Sequence, residues 1–277
     1  MISSALRPRS LVIALIVLAG LLASVSPAAA GGHDRRLEVL TFNIHHGAGE
    51  DGVLDLERVA TVIEDSGADV IAMQEVDRHF SARSEWVDQP AWFAERLDMH
   101  VTYAANLDLD PLNPGEPRRQ YGTAILSRHP IMDSRNTLLP MYPGQEQRGL
   151  LEATIRVRSN TVVVANTHLT HNNDAERQEQ ADKVVEVLGG RDVPTVVTGD
   201  LNATPDAPEI QTLTGVWDDV WAEVGVGPGY TYDAVNPTKR IDYVLHSSQV
   251  EARAAEVIST GASDHLPVLA VLDVPAS

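Results

Sequence analysis

The sequence predicts a single layered α/β domain built on mixed β-sheets. Three observations lead there. Short β-like apolar runs outnumber helical stretches, and several helical stretches fall between consecutive β-like runs. Beyond an N-terminal leader, the remainder of this 277-residue chain is of single-domain size, without internal repeat or low-complexity tract.

The leader comes first. Arg7 and Arg9 give it a basic start, residues 11–25 are apolar and uncharged, and Pro27-Ala28-Ala29-Ala30 offers small residues for cleavage. This is the pattern of a secretory signal peptide, and the apolar run is shorter than the roughly 20 residues of a membrane span. The expectation is a signal peptide over 1–30 and one domain over 31–277. The domain is then secreted to the extracellular or cell-wall space, with no transmembrane anchor after cleavage. The chain has no cysteine, which excludes lipid attachment through a thiol and disulfide staples.

Residues 37–43 read as a strand and 47–52 as a loop. Residues 55–66 read as a helix because Leu56, Val59, Ala60 and Ile63 share a face, with Asp55 placed to cap its start and Gly67 to end it. The run 68–76 is a strand apolar enough to be buried on both faces. Next are a polar loop over 77–89, a short helix over 90–97 and a β-like segment over 101–105. Residues 106–120 hold three prolines and several charges and read as a long surface loop. Four β-like segments come after it, at 122–127, 131–139, 150–157 and 161–168. A helix over 174–188 places Ala181, Val184 and Leu188 on or near one stripe. Residues 195–199, 241–245, 250–258 and 266–272 complete the strands.

Chemistry gathers at four strand ends: Asn43, Glu75, the pair Asp200 and Asn202, and Asp264 beside His265. A strand end is a rigid place with a free side chain. Carboxylates and amides brought there from distant parts of a chain hold a hard cation through oxygen, and an imidazole beside a carboxylate adds acid–base capacity. Asp200 and Asn202 stand two apart and so point the same way if the strand continues. Gly199 before them permits close approach of backbone or ligand. The formal net charge is −18, with a pI near 4.8, and it is more negative still without the two leader arginines. A protein that grips a phosphate backbone presents a basic face, so no extended nucleic-acid groove is expected. A local positive site made by a metal ion is compatible with this acidity.

Three further segments extend the pattern: residues 121–127 (Tyr-Gly-Thr-Ala-Ile-Leu-Ser), Asn166-Thr167-His168 and Arg240-Ile241-Asp242-Tyr243. Together, in this order and spacing, the segments resemble the endonuclease/exonuclease/phosphatase superfamily, which includes DNase I, apurinic endonucleases, inositol polyphosphate 5-phosphatases and neutral sphingomyelinases. Each motif alone is weak; the ordered set, more than 200 residues from first to last, is specific. The resemblance implies a four-layer α/β/β/α sandwich of two packed mixed β-sheets, DNase I-like, with the site at one end. It implies Mg²⁺, with Mn²⁺ as an alternative, held by Glu75 with Asn43 and Asp264. It implies that Asp200 orients or deprotonates the attacking water and that Asn202 holds the phosphate. Asp242 supports His265, which acts as general base or as charged stabiliser. His168 matches a histidine of the DNase I branch and is placed to protonate the leaving oxygen. Its orienting carboxylate in that branch has no clear counterpart near Tyr121. The expected substrate contacts are Tyr121, Arg83 and Arg148, a guanidinium being suited to bidentate pairing with phosphate.

The departures are as informative. His45, followed by His46, stands where apurinic endonucleases carry a second acid. An imidazole there faces phosphate, a softer metal such as Mn²⁺, or only the backbone. Thr204 occupies the arginine position of inositol phosphatases, Lys239 replaces a tryptophan of apurinic endonucleases, and no loop reads as a membrane-inserting hairpin. The expectation is therefore a secreted, monomeric, metal-dependent phosphoesterase acting on small or lipid-headgroup phosphodiesters. An extracellular DNase is the alternative within the family, and a non-catalytic exported binding module the alternative outside it.

Overall fold

The computed structural model of the protein describes Met1 and residues 36–275; the expected signal peptide, apart from Met1, lies outside the described residues. The first half runs β1 (Arg36–Asn43), α1 (Leu56–Ser66), β2 (Val70–Arg78), α2 (Gln89–Leu97), β3 (His100–Leu109), β4 (Arg119–Ser127) and β5 (Ile131–Leu138). The second half runs β6 (Gly149–Val157), β7 (Asn160–His168), α3 (Asp174–Leu188), β8 (Thr195–Asp200), α4 (Pro208–Thr214), β9 (Asp218–Asp219), α5 (Val220–Val224), β10 (Asp242–His246), β11 (Glu251–Val257) and β12 (Val268–Asp273).

The strands form two six-stranded sheets, ordered β11-β12-β1-β2-β4-β3 and β5-β6-β7-β8-β10-β9. Each sheet is mixed, with one parallel pair: β1 with β2, and β7 with β8. A parallel pair needs a crossover, and α1 and α3 supply them. Strand periodicity then sorts the side chains into layers. Leu37 and Val39 of β1 face inward with Val164, Val196 and Val244 of the other sheet, forming the core between the sheets. Leu40 and Phe42 face outward, against Val59, Ala60 and Ile63 of α1 and Phe93 of α2. On the far side Ala165, Val197 and Leu245 meet Ala181, Val184 and Leu188 of α3 and Leu213 of α4. The order is helix, sheet, sheet, helix, the four-layer sandwich that the family resemblance implies.

Local signals hold where the caps are strong. Asp55 accepts the Arg58 N–H at 3.0 Å, and Gly67 ends α1 with φ +71°. The long loop expected over 106–120 is corrected. β3 and β4 continue into it as a paired ribbon, to Leu109 and from Arg119, and only the residues between are irregular. The short α4, α5 and β9 are additions to the expected elements. Among the described residues no helix is long and apolar enough to cross a membrane.

Candidate active site

The parallel pairs end side by side at one edge of the sandwich. Asn43 pairs in register with Gln74 at the ends of β1 and β2, and His168 with Asp200 at the ends of β7 and β8. Asp242, which opens β10, lies directly across from Asp200. Beneath these positions the sheets are joined through Asn166. Its NH2 donates to the carbonyls of Met73 and Ala124, at 2.8 and 2.9 Å, and its oxygen accepts from Gln74 Nε2 at 2.7 Å. Asn166 is fully buried, and each of these bonds reaches the opposite sheet. It fixes one sheet against the other where the site residues emerge.

Glu75 reaches the site because β2 is irregular. Met73 pairs with Ala124 and Val76 with Gly122, so Gln74 and Glu75 together oppose the single Thr123. This is a β-bulge, and Glu75 adopts φ +59° within it. The bulge brings its carboxylate to Asn43. The Asn43 NH2 donates to Glu75 Oε1 at 3.2 Å and to Asp200 Oδ2 at 3.1 Å. One amide thus holds two carboxylates that lie far apart in sequence. The Asn43 oxygen accepts the His45 N–H at 3.1 Å, so it is the NH2 end of Asn43 that faces the carboxylates.

Asp200 is the centre of the arrangement and is almost wholly buried. Gly199 precedes it at φ +151°, where a Cβ would lie 2.0 Å from the Thr167 carbonyl oxygen. The Asp200 Oδ1 accepts the Asn202 N–H at 2.9 Å. Around Oδ2 stand the Asn43 amide, His168 Nε2 at 3.3 Å and His265 Nε2 at 3.6 Å. Burial pushes the Asp200 carboxyl above the ordinary range. The His265 cation and the amide donors oppose that rise, and Asp242 adds to it.

The two imidazoles are held in opposite states. His265 Nδ1 donates to Asp242 Oδ2 at 2.9 Å. Burial alone would lower its pKa, but Asp242 and Asp200 outweigh burial and push it up to about 10. His265 is therefore an imidazolium at neutral pH. His168 Nδ1 instead faces Arg148 Nη1 at 3.0 Å. A guanidinium only donates, so Nδ1 is the acceptor and the ring proton is on Nε2, toward Asp200. Burial, then Arg148 and His265, push the pKa of His168 well below the usual value. It is a neutral hydrogen-bond donor, poorly suited to the proton-delivering role that its family counterpart suggests.

A cavity of about 470 Å³ opens over these groups, lined among others by Glu75, Tyr121, Arg148, Asn202, Lys239 and Asp264. Asn202 donates to the Leu169 carbonyl at 3.0 Å and keeps its second N–H. Asp264 is half-buried at the rim, 3.7 Å from His45 Nδ1. Arg148 is buried, and its Nη1 forms an ion pair with Glu146 Oε1 at 2.8 Å. The orienting partner of His168, for which the sequence offers no carboxylate near Tyr121, is thus this arginine, backed by an acid from the preceding loop. Nothing in the sequence marks Glu146. Tyr232, which the sequence does not single out, lies with its ring 4.8 Å from that of His265 and also lines the cavity.

Arg83 departs from the expected substrate contact. Its Nε and Nη2 fork onto both oxygens of Asp77, at 2.9 and 2.7 Å, and its guanidinium covers the rings of Phe80 and Tyr121. Asp77 is fully buried, so its charge requires this partner. Arg83 is not among the residues lining the cavity.

The donor set suits a divalent cation. Glu75, Asp200 and Asp264 line one cavity, and among the described residues none of the three forms an ion pair with lysine or arginine. Oxygen-rich surroundings with three carboxylates and one imidazolium suit a hard metal ion. Two clusters qualify as ligand groups here: Asp200 with Asp242 and His265, and His45 with His46 and Glu75.

Comparison with known proteins agrees with this geometry. The chain is similar in structure to an endonuclease/exonuclease/phosphatase from Beutenbergia cavernae DSM 12333. The TM-score is 0.73 and the identity 28%, over 87% of this chain and 72% of that one. It shares its fold with a mannosyl-6-phosphatase of Bacteroides thetaiotaomicron VPI-5482, at TM-score 0.69 and 18% identity, over 85% of this chain and 99% of that one. The human Nocturnin catalytic domain with bound sulfate anion has a TM-score of 0.63 and 20% identity, over 87% and 94% of the two chains. The model of the Endonuclease/Exonuclease/phosphatase family matches residues 40–265. That span is most of the sequence, and the chain belongs to this family, whose members are hydrolases acting on phosphoester bonds.

Proposed function

We propose that the protein is an exported, monomeric phosphoesterase that hydrolyses small or lipid-headgroup phosphodiesters. The observation that carries this is the setting of Asp200. It is a buried carboxylate whose pKa is raised, with N–H groups of Asn43, Asn202, His168 and His265 around it, and it opens to a cavity shared with Glu75 and Asp264. A base of this kind accepts a proton from water near neutral pH. His265 is protonated there and has no lone pair to offer, which favours Asp200 as the base.

Glu75 and Asp264 would hold a divalent cation, Mg²⁺ or Mn²⁺, with Asn43 orienting the Glu75 carboxylate through its NH2, and the ion would supply Lewis-acid neutralisation of phosphate charge. Asp200 orients a water for in-line attack and takes its proton as the P–O ester bond breaks, and the leaving oxygen takes up a proton from solvent in the open cavity. The His265 imidazolium, kept charged by Asp242, faces the negative charge that builds on the phosphate oxygens. His168 through Nε2–H and Asn202 through its free N–H hold those oxygens in place. Arg148 fixes the His168 tautomer. Lys239 at the rim adds positive charge to an otherwise acidic molecule.

Bis-p-nitrophenyl phosphate with Mg²⁺ or Mn²⁺ tests the reaction, and chelation or Glu75→Ala is expected to abolish turnover. Turnover that survives both would end the proposal. A panel of plasmid DNA, RNA, sphingomyelin, glycerophosphodiesters, inositol phosphates and mannose 6-phosphate then assigns the substrate. Dominant nicking of plasmid DNA would favour a nuclease and overturn the argument from charge.

A further inference from the structure

We propose that His45, His46 and Glu75 form a nitrogen-bearing metal site that takes a borderline transition ion, of the Zn²⁺, Co²⁺ or Ni²⁺ kind, in preference to Mg²⁺. Because it uses Glu75, it deepens the metal-dependent reading above, but its test is one of binding. The donor atoms of the three residues all lie within 4.8 Å of one another. A bound ion stands about 2.0–2.2 Å from each nitrogen or oxygen donor. Closing around it draws these atoms inward by about an ångström, a movement within reach of side-chain torsions in half-buried rings.

The orphaned nitrogens point to an ion. The Nδ1 atoms of both His45 and His46 are buried and have no hydrogen-bond partner. Buried polar atoms are ordinarily satisfied, and an unpaired nitrogen on each of two adjacent rings leaves room for a bound partner such as an ion. The rings meet edge to face with centroids 4.6 Å apart, so neither satisfies the other. Asp264 Oδ1 lies 3.7 Å from His45 Nδ1, too far for a hydrogen bond. Carboxylates of Glu75 and Asp264 beside the two rings repel a phosphate oxygen and attract a cation. Two imidazoles with one carboxylate select the later first-row ions, whereas Mg²⁺ prefers oxygen and water.

The backbone is shaped for this placement. His45 and His46 both have left-handed φ, +45° and +46°, in the turn after β1. Such conformations are unfavourable for residues other than glycine and persist only where neighbours impose them. Here the His45 N–H donates to Asn43 Oδ1, and Gln89 Nε2 donates to the His46 carbonyl at 2.7 Å. The turn closes at Gly47, φ +86°, where a Cβ would lie 2.4 Å from Leu56 Cδ2. Asn43, α1 and Gln89 of α2 thus lock a turn that presents consecutive imidazoles toward the bulged Glu75.

The test uses the full mature chain stripped of metal by a chelator, then dialysed with Co²⁺ against a large excess of Mg²⁺. Wild-type protein is expected to retain one Co²⁺, to show visible ligand-field bands and to gain thermal stability from the ion. His45→Gln and His46→Gln, made separately and checked for folding by circular dichroism, are each expected to lose at least about 10-fold in Co²⁺ affinity. Displacement of Co²⁺ from the wild type by Mg²⁺ overturns the inference, as do unchanged affinity and bands in folded variants. If one variant does not fold, the other and the wild-type competition still decide. A chain that holds Co²⁺ through these histidines but hydrolyses no phosphoester upholds this site and overturns the proposed reaction.

Discussion

The Asp242→Asn substitution removes one charge from a buried pair while preserving shape. Asn can still turn an oxygen toward His265 Nδ1, so the 2.9 Å hydrogen bond and the ring orientation are kept. The loss is the charge of the partner. A hydrogen bond to a charged group contributes about 1.5–3 kcal/mol, and one pKa unit corresponds to about 1.4 kcal/mol. The pKa of His265, about 10 in the wild type, should fall to roughly 8, held there by Asp200. If the imidazolium stabilises the reacting phosphate, kcat for bis-p-nitrophenyl phosphate changes little at neutral pH, where a pKa of roughly 8 leaves the ring mostly charged, and falls by about 10-fold relative to the wild type near pH 9. The alkaline limb of the pH–rate profile moves down by about two pH units. Stability follows the same sign. A histidine whose pKa is raised by folding contributes fully below about pH 6.5, and that contribution is lost as pH rises through about 10. Thermal stability of the wild type should decline across that window, and the variant should decline less and earlier. An alkaline limb that stays in place in Asp242→Asn would show that His265 does not set it and would refute its role as the charged stabiliser.

Three further outcomes are expected. The acid limb of kcat/KM should lie above the ordinary carboxylate range, because activity is lost as Asp200 takes up a proton. Saturating Mg²⁺ should move that limb down, and profiles at two Mg²⁺ concentrations check this. Gly199→Ala places a Cβ against the Thr167 carbonyl at a φ that alanine disfavours; a loss of about 2–4 kcal/mol, or roughly 5–15 °C in Tm, should appear in thermal melts. Arg83→Met strands the buried Asp77 and should cost about 2–4 kcal/mol after allowance for the exposed side of the arginine, with KM little changed. A large rise in KM without loss of stability would restore Arg83 as a substrate contact.

The core is legible in the sequence because burial on both faces writes itself as apolar runs. β2, β7 and β8 are examples, and the residues at or near their ends, Glu75, His168 and Asp200, meet at one site. The tip of the β3–β4 ribbon is not legible. Its residues are mostly exposed, so Asn106 and Asp108 carry loop composition although they lie in a paired strand. The short helices α4 and α5 present too few turns for periodicity to register. In the site, residue identity is readable but pairing is not. Arg83 and Arg148 look equivalent in sequence, yet one is committed to Asp77 and the other to His168 and Glu146. The direction of Glu75 is also hidden, because strict alternation assigns it to the helix-facing side of β2 and only the register shift brings it round.

That shift separates folding from chemistry at a single residue. Excising Glu75 would let Gln74 face Thr123 alone and give β2 an unbroken ladder, so the shortened chain should melt at a higher temperature while losing its capacity to turn over substrate. The extra residue is a local defect that the sheet tolerates, and the acidic mouth of the cavity exists because the strand is imperfect there.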